Sequence, residues 1–122
     1  MNEEKLFVKD YESCLQTARE CLKRYEFEVA YEYIMRAVWT DPNRPEPQNL
    51  LGLWYELKGD TSLARKHYRV AYVLDPIYKP ASVNLERVST IFPVKEIPFD
   101  FGEITLEENP KPPMSGKNKA AD

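Results

Sequence analysis

The sequence predicts an all-α protein built from repeated antiparallel helix pairs, and two observations carry that prediction. The first is self-similarity at a fixed spacing of 34 residues, a period that is typical of repeat architectures. The second is the recurrence of apolar residues at helical intervals with charges between them, as in Val29, Tyr33 and Ala37. The positions that match at the 34-residue spacing are Asp41 and Asp75, Pro42 and Pro76, Ala30 and Ala64, and Ala37 and Ala71.

Prolines define most of the helix boundaries. Pro42 and Pro76 lack an amide donor and cannot continue the helix that precedes them. Pro45, Pro47 and Pro80 fall in the first turn of the next helix, where a missing donor has no intrahelical partner anyway. The prolines therefore separate one helix pair from the next.

Capping signals and these prolines predict five helices. Asp10 and Asp60 are expected to act as N-caps. Residues 2–9 are expected to extend the first helix backward, because Leu6 and Phe7 lie about one turn before Tyr11. A stack of only two and a half pairs is short for such an architecture, so either added chain or dimerisation must cover an end. The predicted helices lie near residues 10–24, 27–40, 45–58, 61–74 and 79–91.

The second helix pair resembles the tetratricopeptide repeat. The residues that carry the resemblance are Leu51-Gly52, Tyr55, Gly59-Asp60, Ala64, Tyr68, Ala71 and Leu74-Asp75-Pro76. The first pair departs from that pattern, since Thr17-Ala18 replaces the usual Leu-Gly, Cys21 the usual Tyr, and Tyr25-Glu26 the turn that normally contains glycine. A third copy places Leu85 at the leucine position but meets Pro93 where its second helix would begin.

The resemblance implies an α-α superhelix of helical hairpins over residues 1–92. Its repeats are expected at 11–44 and 45–78, followed by a capping helix at 79–91. Residues 93–122 form a separate tail. The stretch 93–106 alternates apolar residues with prolines and carries Phe99 and Phe101, which favours extended chain packed on something. The stretch 107–122 has little to bury and is expected to be disordered.

In this family the first helices of the pairs line a concave face that receives peptides. The resemblance therefore implies a partner-binding site on these helices, and it also implies that a clamp for a two-carboxylate chain end is missing, because Leu15, Leu50 and Asn84 stand at its positions. The expected partner-binding residues are Leu15, Arg19, Leu22, Asn49, Leu53, Glu56, Leu57, Val83 and Arg87, with Glu12, Lys23, Glu46 and Ile91 beside them.

Each of these residues also has a purely structural interpretation. The leucines of the face can form a peptide groove or can close the short stack against the tail. Arg19 and Arg87 can pair with an acidic group of a ligand, or they can be solvated surface arginines. Trp39 and Trp54 lie next to core positions, so partly buried packing is expected of both.

No pattern in the sequence favours catalysis, a cofactor or a metal. Cys14 and Cys21 are seven residues apart on one helix, about 10 Å of rise, and are expected to be buried small hydrophobes. His67 is the only histidine, and with Lys66 beside it a solvated surface role is expected. The chain has no glycine-rich phosphate loop and no Cys or His set at metal-ligand spacing.

Charge and hydropathy bound the remaining functional classes. A net charge of −3 with no basic run makes nucleic acid and anionic membranes poor partners. The longest apolar run, residues 50–55, is too short to span a bilayer, so a cytoplasmic protein is expected. The sequence thus predicts a non-catalytic interaction module, an adaptor, scaffold or assembly factor, that binds a peptide or helix of another protein. The alternative is a self-associating or autoinhibited structural protein whose own tail fills the groove, and a homodimer is one form of it.

Overall fold

The computed structural model describes residues 3–91 and 96–103, and for residues 3–9 only the helical backbone. All regular secondary structure in these ranges is α-helical, as predicted. The expected disorder of residues 107–122 lies outside the described residues, as does the packing of 93–95 and 104–106. The helices are α1 (Glu3–Lys23), α2 (Phe27–Thr40), α3 (Pro45–Leu57), α4 (Thr61–Leu74) and α5 (Lys79–Ser89).

Helices α1, α3 and α5 contact one another in series and are called the first layer, and α2 and α4, which each pack on two of them, are called the second layer. Helix α3 is central, because it packs against each of the other four helices. Helix α2 packs between α1 and α3, and α4 packs between α3 and α5. None of the helices within the described ranges has both the length and the apolar character needed to cross a membrane.

The predicted N-caps have different outcomes. Asp60 is confirmed, since its Oδ1 accepts a hydrogen bond from the Leu63 amide at 3.0 Å. Asp10 is wrong, because α1 already begins at Glu3 and Asp10 therefore lies inside the helix. The expected backward extension of the first helix is confirmed, and it is the physical reason why no cap is needed at Asp10.

The turns between helices repeat the 34-residue spacing in their backbone geometry. Tyr25 and Gly59 hold the matching position with φ of 60° and 93°, so a tyrosine adopts the left-handed conformation that glycine adopts more easily. The residues that follow, Glu26 and Asp60, each donate an amide hydrogen bond of 2.8 Å back to the preceding helix. The Asp-Pro turns match as well, with amide bonds of 3.0 Å from Asp41 to Ala37 and from Asp75 to Ala71.

A small residue faces a larger one where the two helices of each pair cross. Gly52 lies directly under the ring of Tyr68, and an added Cβ would overlap that ring. The matching positions of the first pair hold Ala18 and Ile34, both fully buried. The second pair has the larger side chain in its second helix, Tyr68 in place of Ile34, and the smaller residue in its first helix, Gly52 in place of Ala18. These matched sizes keep the two helices of each pair close.

We therefore predict that Gly52→Ala lowers the free energy of unfolding by about 1–3 kcal/mol, because its methyl group overpacks against Tyr68. The same substitution should cost clearly less in a Tyr68→Ile background, which recreates the Ala18 and Ile34 pair of the first repeat. Urea unfolding of the wild type, both single variants and the double variant measures the coupling. Equal costs in the two backgrounds would contradict the proposed contact.

Candidate functional site

A segment of the chain beyond α5 lies across the first-layer helices. We call residues 96–103 the tail segment, and we call the side chains of α1, α3 and α5 that bind it the inner face. The segment passes from α5 to α3 to α1, because its successive contacts are with Arg87, with the two asparagines and with Arg19. The inner-face residues that hydrogen-bond to the tail segment are Arg19, Lys23, Asn49, Asn84 and Arg87.

Two buried asparagines bind the middle of the tail segment. The Asn84 Nδ2 donates to the Asp100 carbonyl at 2.8 Å, and the Asp100 amide donates to the Asn84 Oδ1 at 2.9 Å. Asn49 Nδ2 donates to the same carbonyl at 3.1 Å, and its Oδ1 accepts from Asn84 at 2.7 Å. Both side chains are fully buried, so these bonds replace those that water would otherwise provide.

Arg87 of α5 joins the tail segment to the core. Its Nη1 donates to the Pro98 carbonyl at 2.8 Å, and its Nε and Nη2 bind both oxygens of Glu56 at 3.0 and 2.6 Å. The Tyr68 hydroxyl donates to Glu56 at 2.6 Å. Burial raises the pKa of that hydroxyl, and the carboxylate beside it adds to the effect. The tyrosine is therefore a neutral donor that holds the Glu56 and Arg87 pair in place.

Arg19 and Lys23 of α1 bind the far end of the tail segment. The Arg19 Nε donates to the Phe101 carbonyl at 2.9 Å, and Arg19 is only 7% exposed. Lys23 Nζ lies 2.7 Å from Glu103 and 5.3 Å from the centre of the Phe101 ring. Because Lys23 and Glu103 remain partly exposed, this ion pair contributes little compared with the contacts of Arg19.

Phe101 and Gly102 fix how the tail segment sits on the inner face. Phe101 is half-buried and packs against the hydrophobic core. Gly102 has a φ of 77° and lies against the hydroxyl of Tyr78, where an added Cβ would overlap that oxygen. The Tyr78 hydroxyl is buried and has no hydrogen-bond partner among the described residues. Burial raises the pKa of Tyr78, so the hydroxyl stays protonated.

The predicted partner-binding residues divide into two groups. Leu15, Leu22 and Leu53 are at most 1% exposed and belong to the core, while Leu57 and Val83 are half-buried. Arg19, Asn49 and Arg87 contact the tail segment, and Glu56 supports Arg87. The structure thus brings the polar members together around the segment, whereas Leu15, Leu22 and Leu53 are part of the core.

Sequence reasoning missed Asn84, Tyr78 and Gly102 as parts of this site. Asn84 matches Leu50 in the preceding repeat, and a buried asparagine at a leucine position is a signal that a polar partner must come from elsewhere. Gly102 follows an aromatic stretch in which no turn was expected. The interpretation of Arg19 and Arg87 as solvated surface residues is wrong, because both bind carbonyl groups of the tail segment.

The two tryptophans behave differently. Trp54 packs against the core and donates its Nε1 hydrogen to the Phe27 carbonyl at 2.9 Å, which confirms the predicted packing role. The same prediction is wrong for Trp39, which is 85% exposed. The buried side of α2 is formed by Ala30, Ile34 and Ala37, and Trp39 points away from it because two residues of helix rotate a side chain by about 200°.

His67 is half-buried and not a solvated surface residue, so the prediction for it is wrong. Its ring stacks on Tyr55 with centroids 5.3 Å apart, and its Nδ1 lies 2.9 Å from the Gln48 Oε1. Burial lowers the pKa of His67, which favours the neutral ring. His67 is half-buried because it lies between α4 and α3, where it contacts Tyr55 and Gln48 of α3.

Exposed apolar side chains lie mainly on the second layer. Trp39 and Val73 hold matching positions near the ends of α2 and α4 and are 85% and 77% exposed. Ile77, in the turn after α4, is also 85% exposed. We call these three residues the outer apolar set.

Compared with known proteins, the chain matches no family model, and neither the curated proteins nor the solved structures contain a match. The geometry alone therefore defines the class, an all-α helical-repeat-like protein with an extended segment bound to its first-layer helices. Within the described ranges, no group of three His, Cys, Asp or Glu residues is placed to hold a metal ion.

Both cysteines are buried and unpaired, as predicted, and burial raises the pKa of each thiol. We expect a maleimide to label Cys14 and Cys21 at least about a hundredfold more slowly in the native protein than in the urea-unfolded chain, because only opened molecules react. Mass spectrometry of the labelled chain measures both rates. Fast labelling of either thiol without unfolding would show that α1 is more open than the structure indicates.

The binding of the tail segment should depend on the amide of Asn84. We predict that Asn84→Asp weakens it by about 1–3 kcal/mol, because a carboxylate cannot donate to the Asp100 carbonyl or to Asn49. Hydrogen exchange of the Asp100 amide, which is protected only while the segment is bound, measures the effect. Asn43→Asp, at an exposed site, is the matched control. Unchanged protection of Asp100 in a folded Asn84→Asp variant would contradict the assignment.

Proposed function

We propose that the protein is a non-catalytic protein–protein interaction module of the tetratricopeptide type, acting as an adaptor, scaffold or assembly factor in the cytoplasm. Its inner face holds an extended polypeptide segment, and in the free chain that segment is residues 96–103. The observation that carries the proposal is the set of hydrogen bonds from α1, α3 and α5 to backbone carbonyls of the segment.

The repeat geometry supports the family part of the proposal. Consensus-like residues of the second pair stand beside turns whose backbone hydrogen bonds recur 34 residues apart. The left-handed residue of each turn also recurs, as Tyr25 and Gly59. Such agreement between sequence pattern and turn geometry is what a tandem helical hairpin requires.

The contacts favour the self-occupied form of this module over an open groove. Arg19, Asn49 and Asn84 are buried while the tail segment is in place, so a partner reaches them only after the segment has left. A tethered segment has an effective concentration on the order of millimolar. A partner that uses the inner face must therefore compete with the tail segment.

The outer apolar set favours a second candidate, in which a partner or a second copy of the chain binds the second layer. Trp39, Val73 and Ile77 are large and exposed. Trp39 and Val73 lie 34 residues apart, so each repeat presents an exposed apolar side chain at the same position. The two candidates use opposite layers, and variants of each can be compared.

A capture experiment with three full-length variants distinguishes them. The tail-opened variant Phe101→Ala/Gly102→Val should retain at least about tenfold more of a genuine inner-face partner than the wild type, because it removes the competitor. Adding Asn84→Asp to that variant should abolish the gain, and Trp39→Ser/Ile77→Ser should leave it unchanged. Leu53→Glu is not a suitable variant for testing the inner face, since it would place a charge in the fully buried core and unfold the protein.

The opposite pattern would assign the function to the second layer. In that case Trp39→Ser/Ile77→Ser abolishes capture or self-association, and opening the tail has no effect. Light scattering of the same variants reports self-association. Capture that responds to neither the inner face nor the outer apolar set would overturn both candidates.

A further inference from the structure

We propose that the inner face is a selective site for one class of ligand, an extended segment with the pattern aromatic, aspartate, aromatic, glycine. The tail segment carries this pattern as Phe99-Asp100-Phe101-Gly102 and is its built-in competitor. The proposal rests on the proposed function and names the ligand of that site. Three independent sets of contacts define the pattern.

The first set fixes the path and direction of the bound chain. Side chains of the inner face bind three carbonyls of the segment backbone, those of Pro98, Asp100 and Phe101. Asn84 also accepts from the Asp100 amide, so one side chain binds both polar groups of a single residue. Backbone contacts of this kind require an extended chain in one register and leave its side chains to provide selectivity.

The second set recognises the two aromatic residues. The Arg87 guanidinium lies 4.4 Å from the centre of the Phe99 ring, and Lys23 Nζ lies 5.3 Å from that of Phe101. Phe99 is 43% exposed, whereas Phe101 packs against the core. Because Phe101 is the more buried of the two rings and packs against the core, it is the main anchor of the segment.

The third set requires glycine after the second aromatic residue. Gly102 adopts a φ of 77°, which side chains rarely tolerate, and the Tyr78 hydroxyl occupies the space that a Cβ would need. The Asp100 Oδ1 accepts a hydrogen bond from the Gly102 amide at 3.0 Å. This aspartate therefore stabilises the turn that places Gly102 against Tyr78.

Selectivity and occupancy follow from these contacts together. Phe101 provides the anchor, and Asp100 favours the required turn. The Tyr78 hydroxyl leaves no room for a side chain at position 102, so only glycine fits there. Because the tail segment is tethered close to the inner face, a free peptide of equal strength competes only at concentrations on the order of millimolar. The site should be closed to such peptides in the wild type and open once the tail segment is disabled.

The test uses the full-length chain and a fluorescein-labelled synthetic peptide of residues 96–103 with blocked ends. The tail-opened variant Phe101→Ala/Gly102→Val should bind the peptide saturably. The wild type should bind it at least about tenfold more weakly, since its own segment occupies the site. Peptides carrying Gly102→Val or Phe101→Ala should bind the variant at least about tenfold more weakly than the native sequence, a difference of about 1.4 kcal/mol.

Two results would overturn the proposal. One is the failure of a folded tail-opened variant to bind the native peptide, and the other is equal affinity for the native and Gly102→Val peptides. If Phe101→Ala/Gly102→Val lowers the helix content, Asp100→Pro replaces it, because it removes both the amide that donates to Asn84 and the carboxylate that accepts from Gly102. Protein capture that still needs the inner face, with no preference for this peptide, would sink the ligand class and leave the proposed function standing.

Discussion

The contact between Gly52 and the ring of Tyr68 is the constraint on which the geometry of the inner face depends. It lets α3 and α4 approach closely, and it places the Tyr68 hydroxyl against Glu56. Glu56 then holds the guanidinium of Arg87. The Arg87 side chain is in turn fixed where it meets the Pro98 carbonyl. The packing of Tyr68 on Gly52 in the core therefore sets the position of the Arg87 guanidinium at the inner face. This coupling gives the buried Tyr68 hydroxyl a structural role.

The tail segment and the inner-face asparagines need one another. A buried amide without hydrogen bonds costs on the order of 1–3 kcal/mol, and the backbone amide and carbonyl of Asp100 make two of the three hydrogen bonds of Asn84. The tail segment, for its part, has one internal hydrogen bond to its backbone, from the Gly102 amide to Asp100 Oδ1, and its other backbone groups need partners from outside. The inner-face side chains supply those partners, and Phe101 adds apolar burial. Binding of the segment is thus cooperative with burial of the face beneath it, because each removes unsatisfied polar groups from the other.

Much of the fold could be predicted from the sequence because its boundaries are chemical. Proline lacks an amide hydrogen, so Pro42, Pro45 and Pro76 mark helix ends that tertiary packing does not shift. The 34-residue spacing predicted turns that the structure reproduces in their hydrogen bonds. The start of α1 was less predictable, since Asp10 satisfies the local requirement of a cap without being one. Trp39 was misjudged because its neighbour Ala37 is buried, while rotation along the helix places the tryptophan on the solvent side.

The site was only partly predictable, because register along a helix does not reveal what covers a face. The family resemblance singled out Arg19 and Arg87 on the first-layer helices, and both residues contact the tail segment. The sequence left two occupants of the face, a partner or the chain's own tail, and it did not reveal that Asn84 would be the central contact of the tail segment. Phe101 of the tethered segment packs against the hydrophobic core, and the tether keeps the entropic cost of this packing small. The same feature that completes the core therefore occupies the surface on which the helices would receive a partner, so stability and binding compete for one face.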